Sequence, residues 1–167
     1  MDATVDECLR MIAGKTAALL SCSTGVGALL TGAPDGTVSA LASFGEQLGM
    51  AFQAVDDLLG IWGRPEVTGK PVGNDLRQRK VSLPVAAGLE SEEAPGLQEL
   101  LSSAELTDED VREATRLLER AGARAFAGEE AERRLDRAFA ELERADLEPG
   151  PRDELAALAR FITEREF

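Results

Sequence analysis

The chain has 167 residues, enough to bury a core without disulfides or a structural metal, and it reads as one domain over 1–167. Its formal charge of -13 argues against a nucleic-acid partner, because duplex affinity rests on Lys and Arg neutralising phosphates. Cys8 and Cys22 make neither a disulfide framework nor a zinc site, and the acidic stretch from Met1 to Glu7 is no export signal, so a reducing cytoplasm is expected.

Abundant Ala, Leu, Glu and Arg with few β-branched residues favour helix over sheet, and an all-α antiparallel helical bundle is expected. The first helix is predicted from about Asp6 to Leu20, where Leu9, Ile12, Thr16, Leu19 and Leu20 recur at threes and fours. Ser21 to Asp35 mixes Ser, Gly, Thr and Pro around Val26 to Leu30 and reads as a helix-to-helix connection, with Ala33-Pro34-Asp35-Gly36 as its turn. Apolar runs such as Ala17 to Leu20 fall short of the ~20 residues that span a bilayer, so no transmembrane segment is expected.

Thr37 to Trp62 contains no proline and repeats Leu41, Phe44, Leu48, Phe52, Val55, Leu59 and Trp62 at helical spacing, which predicts the longest helix, with this stripe buried. Gly45 and Gly49 lie one turn apart and suggest a close neighbouring helix. Gly63 to Gln78 carries Pro65, Gly69, Pro71, Gly73 and Asn74 and reads as a loop, closed by Arg77, Arg79 and Lys80. A further helix is predicted from Ser82, with Pro84 tolerated in its first turn, ending before a flexible acidic stretch from Glu90 to Gly96. Thr107 reads as an N-cap for a helix with Val111, Ala114, Leu117, Leu118 and Ala121 on one face. Helices follow through Leu142 and from Asp153 to Thr163.

In the long helix Gln53, Asp56, Asp57 and Gly60 share one face, so two carboxylates project together among the apolar residues Phe52, Val55, Leu58 and Leu59. Such a pair repels, and burial without partners would cost several kcal/mol, roughly 2–7 for even an uncharged polar group. A divalent cation resolves the conflict. Hard oxygen donors without a His or Cys cluster favour magnesium or manganese over zinc. Lys70 and Lys80 downstream and Lys15 beside Thr16 upstream supply cations that suit a diphosphate. Taken singly, each element also fits a solvated charge and an ordinary loop.

The combination is more specific. Phe52-Gln53-Ala54-Val55-Asp56-Asp57-Leu58-Leu59-Gly60-Ile61-Trp62-Gly63, then Thr68-Gly69-Lys70-Pro71-Val72-Gly73-Asn74-Asp75-Leu76 and Lys80-Val81-Ser82-Leu83-Pro84, closely resembles the second aspartate-rich region of trans-isoprenyl diphosphate synthases, the polyprenyl synthetase family. Ile12-Ala13-Gly14-Lys15-Thr16-Ala17 resembles the family's lysine-threonine helix, so the resemblance runs at least from Met1 to Leu89.

The resemblance implies the C-terminal portion of an isoprenoid synthase fold, with Mg2+ bridging aspartates to an allylic prenyl diphosphate. It implies that Asp56 ligates magnesium and Asp57 supports it, as the catalytic pair. It further implies that Lys15, Thr16, Gln53, Lys70 and Lys80 hold diphosphate oxygens, with Asp75 a weaker candidate behind them. Gly60 departs from the pattern, standing where the family has the third acid of Asp-Asp-x-x-Asp. Arg64 stands where relatives often place an acid, and Val81 where many have a second lysine.

The family's first aspartate-rich motif has no counterpart in the sequence. The expected partner is therefore a chain carrying that motif, in a hetero-oligomer, or a second copy in a homodimer, with Leu41, Phe44 and Leu48 as the apolar interface. Together the halves would make a prenyl synthase or a class I terpene cyclase. The alternatives are a non-catalytic regulatory subunit of a complete synthase and an inactive truncated fragment.

Overall fold

A computed structural model describes residues 4–69 and 71–163, and every regular element among them is helical. Helix α1 (Val5–Ile12) passes through a π-helical turn (Ala13–Ala17) into α2 (Ala18–Leu30). The Ala18 N–H reaches back to the Ala13 carbonyl, one residue further than in an α-helix. Then follow α3 (Asp35–Trp62), α4 (Pro65–Thr68), α5 (Asn74–Arg77), α6 (Leu83–Leu89), α7 (Ala94–Ser102), α8 (Asp108–Arg120), α9 (Ala123–Arg144) and α10 (Pro149–Thr163).

The stretch expected as a connection from Ser21 is helix as far as Leu30, and only residues 31–34 turn. Small polar residues are here the means of helix packing. Thr24 Oγ1 donates to carbonyls, at 3.0 Å to Leu20 of its own helix and 2.7 Å to Leu41 of α3. A Cβ on Gly25 would stand 3.2 Å from the Ala42 Cβ. Facing them, a Cβ on Gly45 would fall onto Thr24 Oγ1 and 2.8 Å from the Leu20 carbonyl carbon, and one on Gly49 would lie 2.5 Å from the Ala17 Cα. The close approach expected of these two glycines is thus with α2 and the π turn before it.

Because that stretch is helical, Val5–Leu30 becomes one 26-residue helix, with mean hydropathy 1.2 in its best window and 17% of that window buried. By length and composition alone it reaches the bilayer-spanning range that the shorter runs did not.

The chain resolves into two compact units. One comprises the described residues of Met1–Leu9 together with Ala54–Glu129. Its core gathers Ile61, Leu76, Val85, Leu97, Leu101, Val111, Ala114, Leu117, Leu118 and Ala123. The loop expected over Gly63–Gln78 contains two short helical turns, α4 and α5, each entered from an extended or left-handed residue. Gly73, at φ 68°, donates its N–H to the Ile61 carbonyl at 3.1 Å and so fastens the loop to the end of α3. Glu90–Gly96 is likewise ordered: α7 begins at Ala94, with Pro95 in its first turn where no N–H is needed. The Thr107 cap of α8 is present as a reciprocal capping box with Asp110.

The other unit comprises Arg10–Gln53 and the described residues of Glu130–Arg165. Its core is Ala40, Leu41, Phe44, Leu48, Ala138, Leu142, Ala145 and Ala159. The stripe at Leu41, Phe44 and Leu48 is therefore internal packing, 6% exposed or less, and not the open interface expected of it. Exposed large apolar side chains lie elsewhere in this unit, at Met11, Leu19, Val26, Leu29 and Leu30. Buried Glu130 accepts from Arg134 Nε at 2.7 Å and from Arg133, and Arg134 also donates to Gln47 Oε1 at 3.1 Å, which ties α9 to α3.

Candidate metal and diphosphate site

The last turns of α3 place Asp56 and Asp57 in different surroundings. The Asp57 side chain is 2% exposed and that of Asp56 is 44% exposed. Both Asp57 oxygens are engaged: Oδ1 accepts from Lys80 Nζ at 2.9 Å, and Oδ2 accepts from the Leu83 backbone N–H at 2.8 Å. The second bond caps α6. Ser82 occupies the N-cap position without a side-chain cap bond, and Pro84 has no N–H to satisfy, so a buried aspartate from α3 serves the first turn of α6 instead.

Lys80 Nζ also lies 2.9 Å from Asp75 Oδ2 and 3.8 Å from Asp56 Oδ2. One ammonium thus faces three carboxylates. Burial alone would lower the lysine's affinity for its proton, but the charge of Asp57 and the hydrogen bonds to Asp75 and Asp57 outweigh it and raise its pKa well above the ordinary 10.5. The nearby Cys8 thiol is pushed up to about 11, by burial first and the Asp57 charge second, against the opposing pull of Lys80. It stays protonated at neutral pH, which leaves the carboxylates of Asp56, Asp57 and Asp75 as the charged groups paired with Lys80.

Asp75 is more central than a loop position suggests: its side chain is 8% exposed. The space it occupies is provided by Gly60, since a Cβ built there would lie 2.4 to 2.7 Å from the Asp75 carboxylate oxygens. Sequence reasoning gave Gly60 only as a missing acid. The available signal was the lack of a side chain one turn beyond Asp56, on a face otherwise filled.

The other basic residues of the segment have structural partners. Arg77 pairs with Asp108 at 2.7 Å, and Arg79, at φ 51°, donates to the Ser103 and Ala104 carbonyls just past α7. Only Lys80 of the three turns toward the acids. In the second unit, Thr16 Oγ1 donates to Gln53 Oε1 at 2.8 Å, and Lys15 stands exposed beside it within the π turn. Single π turns inside α-helices occur often at functional positions. Lys70 lies outside the described residues.

Among the described residues no three carboxylates, thiols or imidazoles converge into a ready-made metal cage. What the site offers is one half-exposed carboxylate, Asp56, beside a fixed ammonium. That donor set fits magnesium, which takes one or two carboxylates and completes its shell with phosphate oxygens and water.

The polyprenyl synthetase family model matches residues 1–118. A geranylgeranyl diphosphate synthase of Mycobacterium tuberculosis is 49% identical over 99% of this chain and 47% of its own length. The crystal structure of a polyprenyl synthetase from Streptomyces coelicolor A3(2) has a TM-score of 0.90 at 42% identity, covering 96% of this chain and 50% of that one. That of geranylgeranyl pyrophosphate synthase from Corynebacterium glutamicum, complexed with isoprenyl diphosphate and magnesium, has a TM-score of 0.89 at 28% identity, over 99% of this chain and 48% of that one. The chain spans about half the length of the curated relatives it matches. Its helices are those of the all-α isoprenoid synthase fold, and the chain belongs to the polyprenyl synthetase family.

Proposed function

We propose that this chain supplies one half of a magnesium-dependent prenyl diphosphate synthase active site, which binds an allylic prenyl diphosphate and ionises it for coupling. The observation that carries the reading is the division of labour within the aspartate pair. Asp57 is buried and engaged at both oxygens, while the Asp56 side chain is half-exposed, with Oδ2 3.8 Å from the same ammonium. Asp56 would hold the magnesium, and Asp57 acts through Lys80 and α6 by keeping them in place.

When bound, the metal supplies charge stabilisation for the departing diphosphate. Lys80, held protonated by Asp57 and Asp75, offers a diphosphate oxygen a permanent cation. By the family resemblance Lys15, Thr16, Gln53 and Lys70 bind further diphosphate oxygens. The relatives named as prenyl diphosphate synthases favour coupling over cyclisation.

The remaining helices of the site would come from a polypeptide carrying the first aspartate-rich motif, as a separate subunit or as the rest of a longer protein, in the cytoplasm. Two observations support this. The relatives have about twice this length, and the α1–α2 helix exposes Met11, Leu19, Val26, Leu29 and Leu30 on a face that such helices would cover.

Titration calorimetry with inorganic diphosphate tests the binding half of the reading. Weak binding that requires magnesium is expected, and equal binding in excess chelator would remove Asp56 as a metal ligand. In a complex reconstituted with the complementary half, Asp56→Ala should lower turnover by about 10²-fold or more, as deletion of an electrostatic group at a reacting centre does.

A further inference from the structure

Gly60 and Asp75 are fifteen residues apart in sequence but occupy one volume. The Asp75 carboxylate lies where a side chain on Gly60 would begin, with oxygens 2.4 and 2.7 Å from the Cβ position. The same carboxylate holds Lys80 Nζ at 2.9 Å and is nearly buried. It cannot swing into open solvent without leaving the lysine. Asp75 is itself held in place from both sides. Gly73 just before it is pinned to the Ile61 carbonyl at 3.1 Å, and the Asp75 carbonyl accepts the Lys80 N–H at 2.9 Å.

We propose that Gly60 is a positioning residue: its missing side chain is the slot through which Asp75, delivered by α5, completes the carboxylate face of α3 and fixes Lys80 for the diphosphate. This rests on the diphosphate-site reading above. A side chain at 60 would displace the Asp75 carboxylate from its place beside Lys80. Gly60→Asp should therefore weaken magnesium diphosphate binding, although it restores the aspartate that the family motif has there.

A double-mutant cycle on the whole chain decides the matter, with Gly60→Ala, Asp75→Ala and the pair compared in two measurements. The first is thermal unfolding without metal. Ala is a better residue than Gly inside a helix, so Gly60→Ala should raise the melting temperature once Asp75 has been cut back to Ala, and lower it while Asp75 is intact. The second is calorimetry with inorganic diphosphate and magnesium, well below every melting temperature. There Gly60→Ala should cost about tenfold in affinity with Asp75 present and less than about twofold in the Asp75→Ala background.

A shift of the same sign and size in both backgrounds, or tighter binding by Gly60→Asp, would overturn the proposal. If the unmodified chain binds no diphosphate in magnesium, the function proposed above fails. The sign change in melting temperature then still decides whether Gly60 makes room for Asp75.

Discussion

At the scale of single residues, the two adjacent aspartates of α3 should respond in opposite ways to removal. Asp57→Ala leaves the Leu83 N–H without its acceptor and takes one of two close carboxylates from Lys80, at a cost of about 1–3 kcal/mol for orphaned buried partners. Asp56→Ala removes a half-exposed charge from beside another carboxylate and inserts a better helix former. Thermal melts without metal should show a clear drop for the first and a level or higher midpoint for the second. That Asp56 and Asp57 project together was legible because helical spacing fixes which side chains share a face, whereas Lys80 stood out only as a downstream cation in the family-like stretch. The sequence did not separate the roles of the pair, because that depends on α6 bringing a backbone N–H to Asp57. Nor could spacing show that Gly60 and Asp75 meet, since a fold-back of the loop onto α3 has no periodic signature.

At the scale of elements, the attachment of α9 to α3 in the second unit turns on Glu130. Burial alone would raise its pKa, but the hydrogen bonds and charges of Arg134 and Arg133 overcome this and lower it from 4.5. A carboxylate lowered in the folded state stabilises the fold above its unfolded value and loses that contribution as pH falls through the folded one. Glu130→Gln should therefore melt below the unmodified chain at pH 7, and the gap should close as the pH is taken below about 4.5. A gap independent of pH would assign Glu130 to packing alone. Elements with strong apolar periodicity were legible: α3 was expected from Thr37 and runs from Asp35, and α8 has its expected cap. The misread ones share a cause. Ser, Gly and Thr between Ser21 and Leu30 look like a connection when taken locally, yet Thr24 and Gly25 are small so that α3 can approach. Gly-Pro punctuation around Pro65 and Ala94 marks helix starts there as much as breaks, because a proline in the first turn satisfies the helix and the loop alike.

At the scale of the whole molecule, the apolar residues left outside the cores are what point to assembly. Leu19 is 66% and Leu30 is 80% exposed, so Leu19→Glu and Leu30→Glu should change the stability of the chain by no more than about 0.5 kcal/mol. Both should weaken capture of the complementary half, measured by co-purification and by analytical ultracentrifugation. Undiminished capture would move the interface away from α2. The same helix has a consequence for how much of this protein a cell can keep. A partner that binds only the folded form adds stability in proportion to the logarithm of its own free concentration. A chain left alone with this face uncovered lacks that increment, and a deficit of about 1–2 kcal/mol changes steady-state abundance several-fold under proteolytic surveillance. Where the complementary half is a separate subunit that covers Val5–Leu30, the level of this polypeptide should then follow that of its partner, so that supply of one half sets the ceiling for the other without any dedicated regulator.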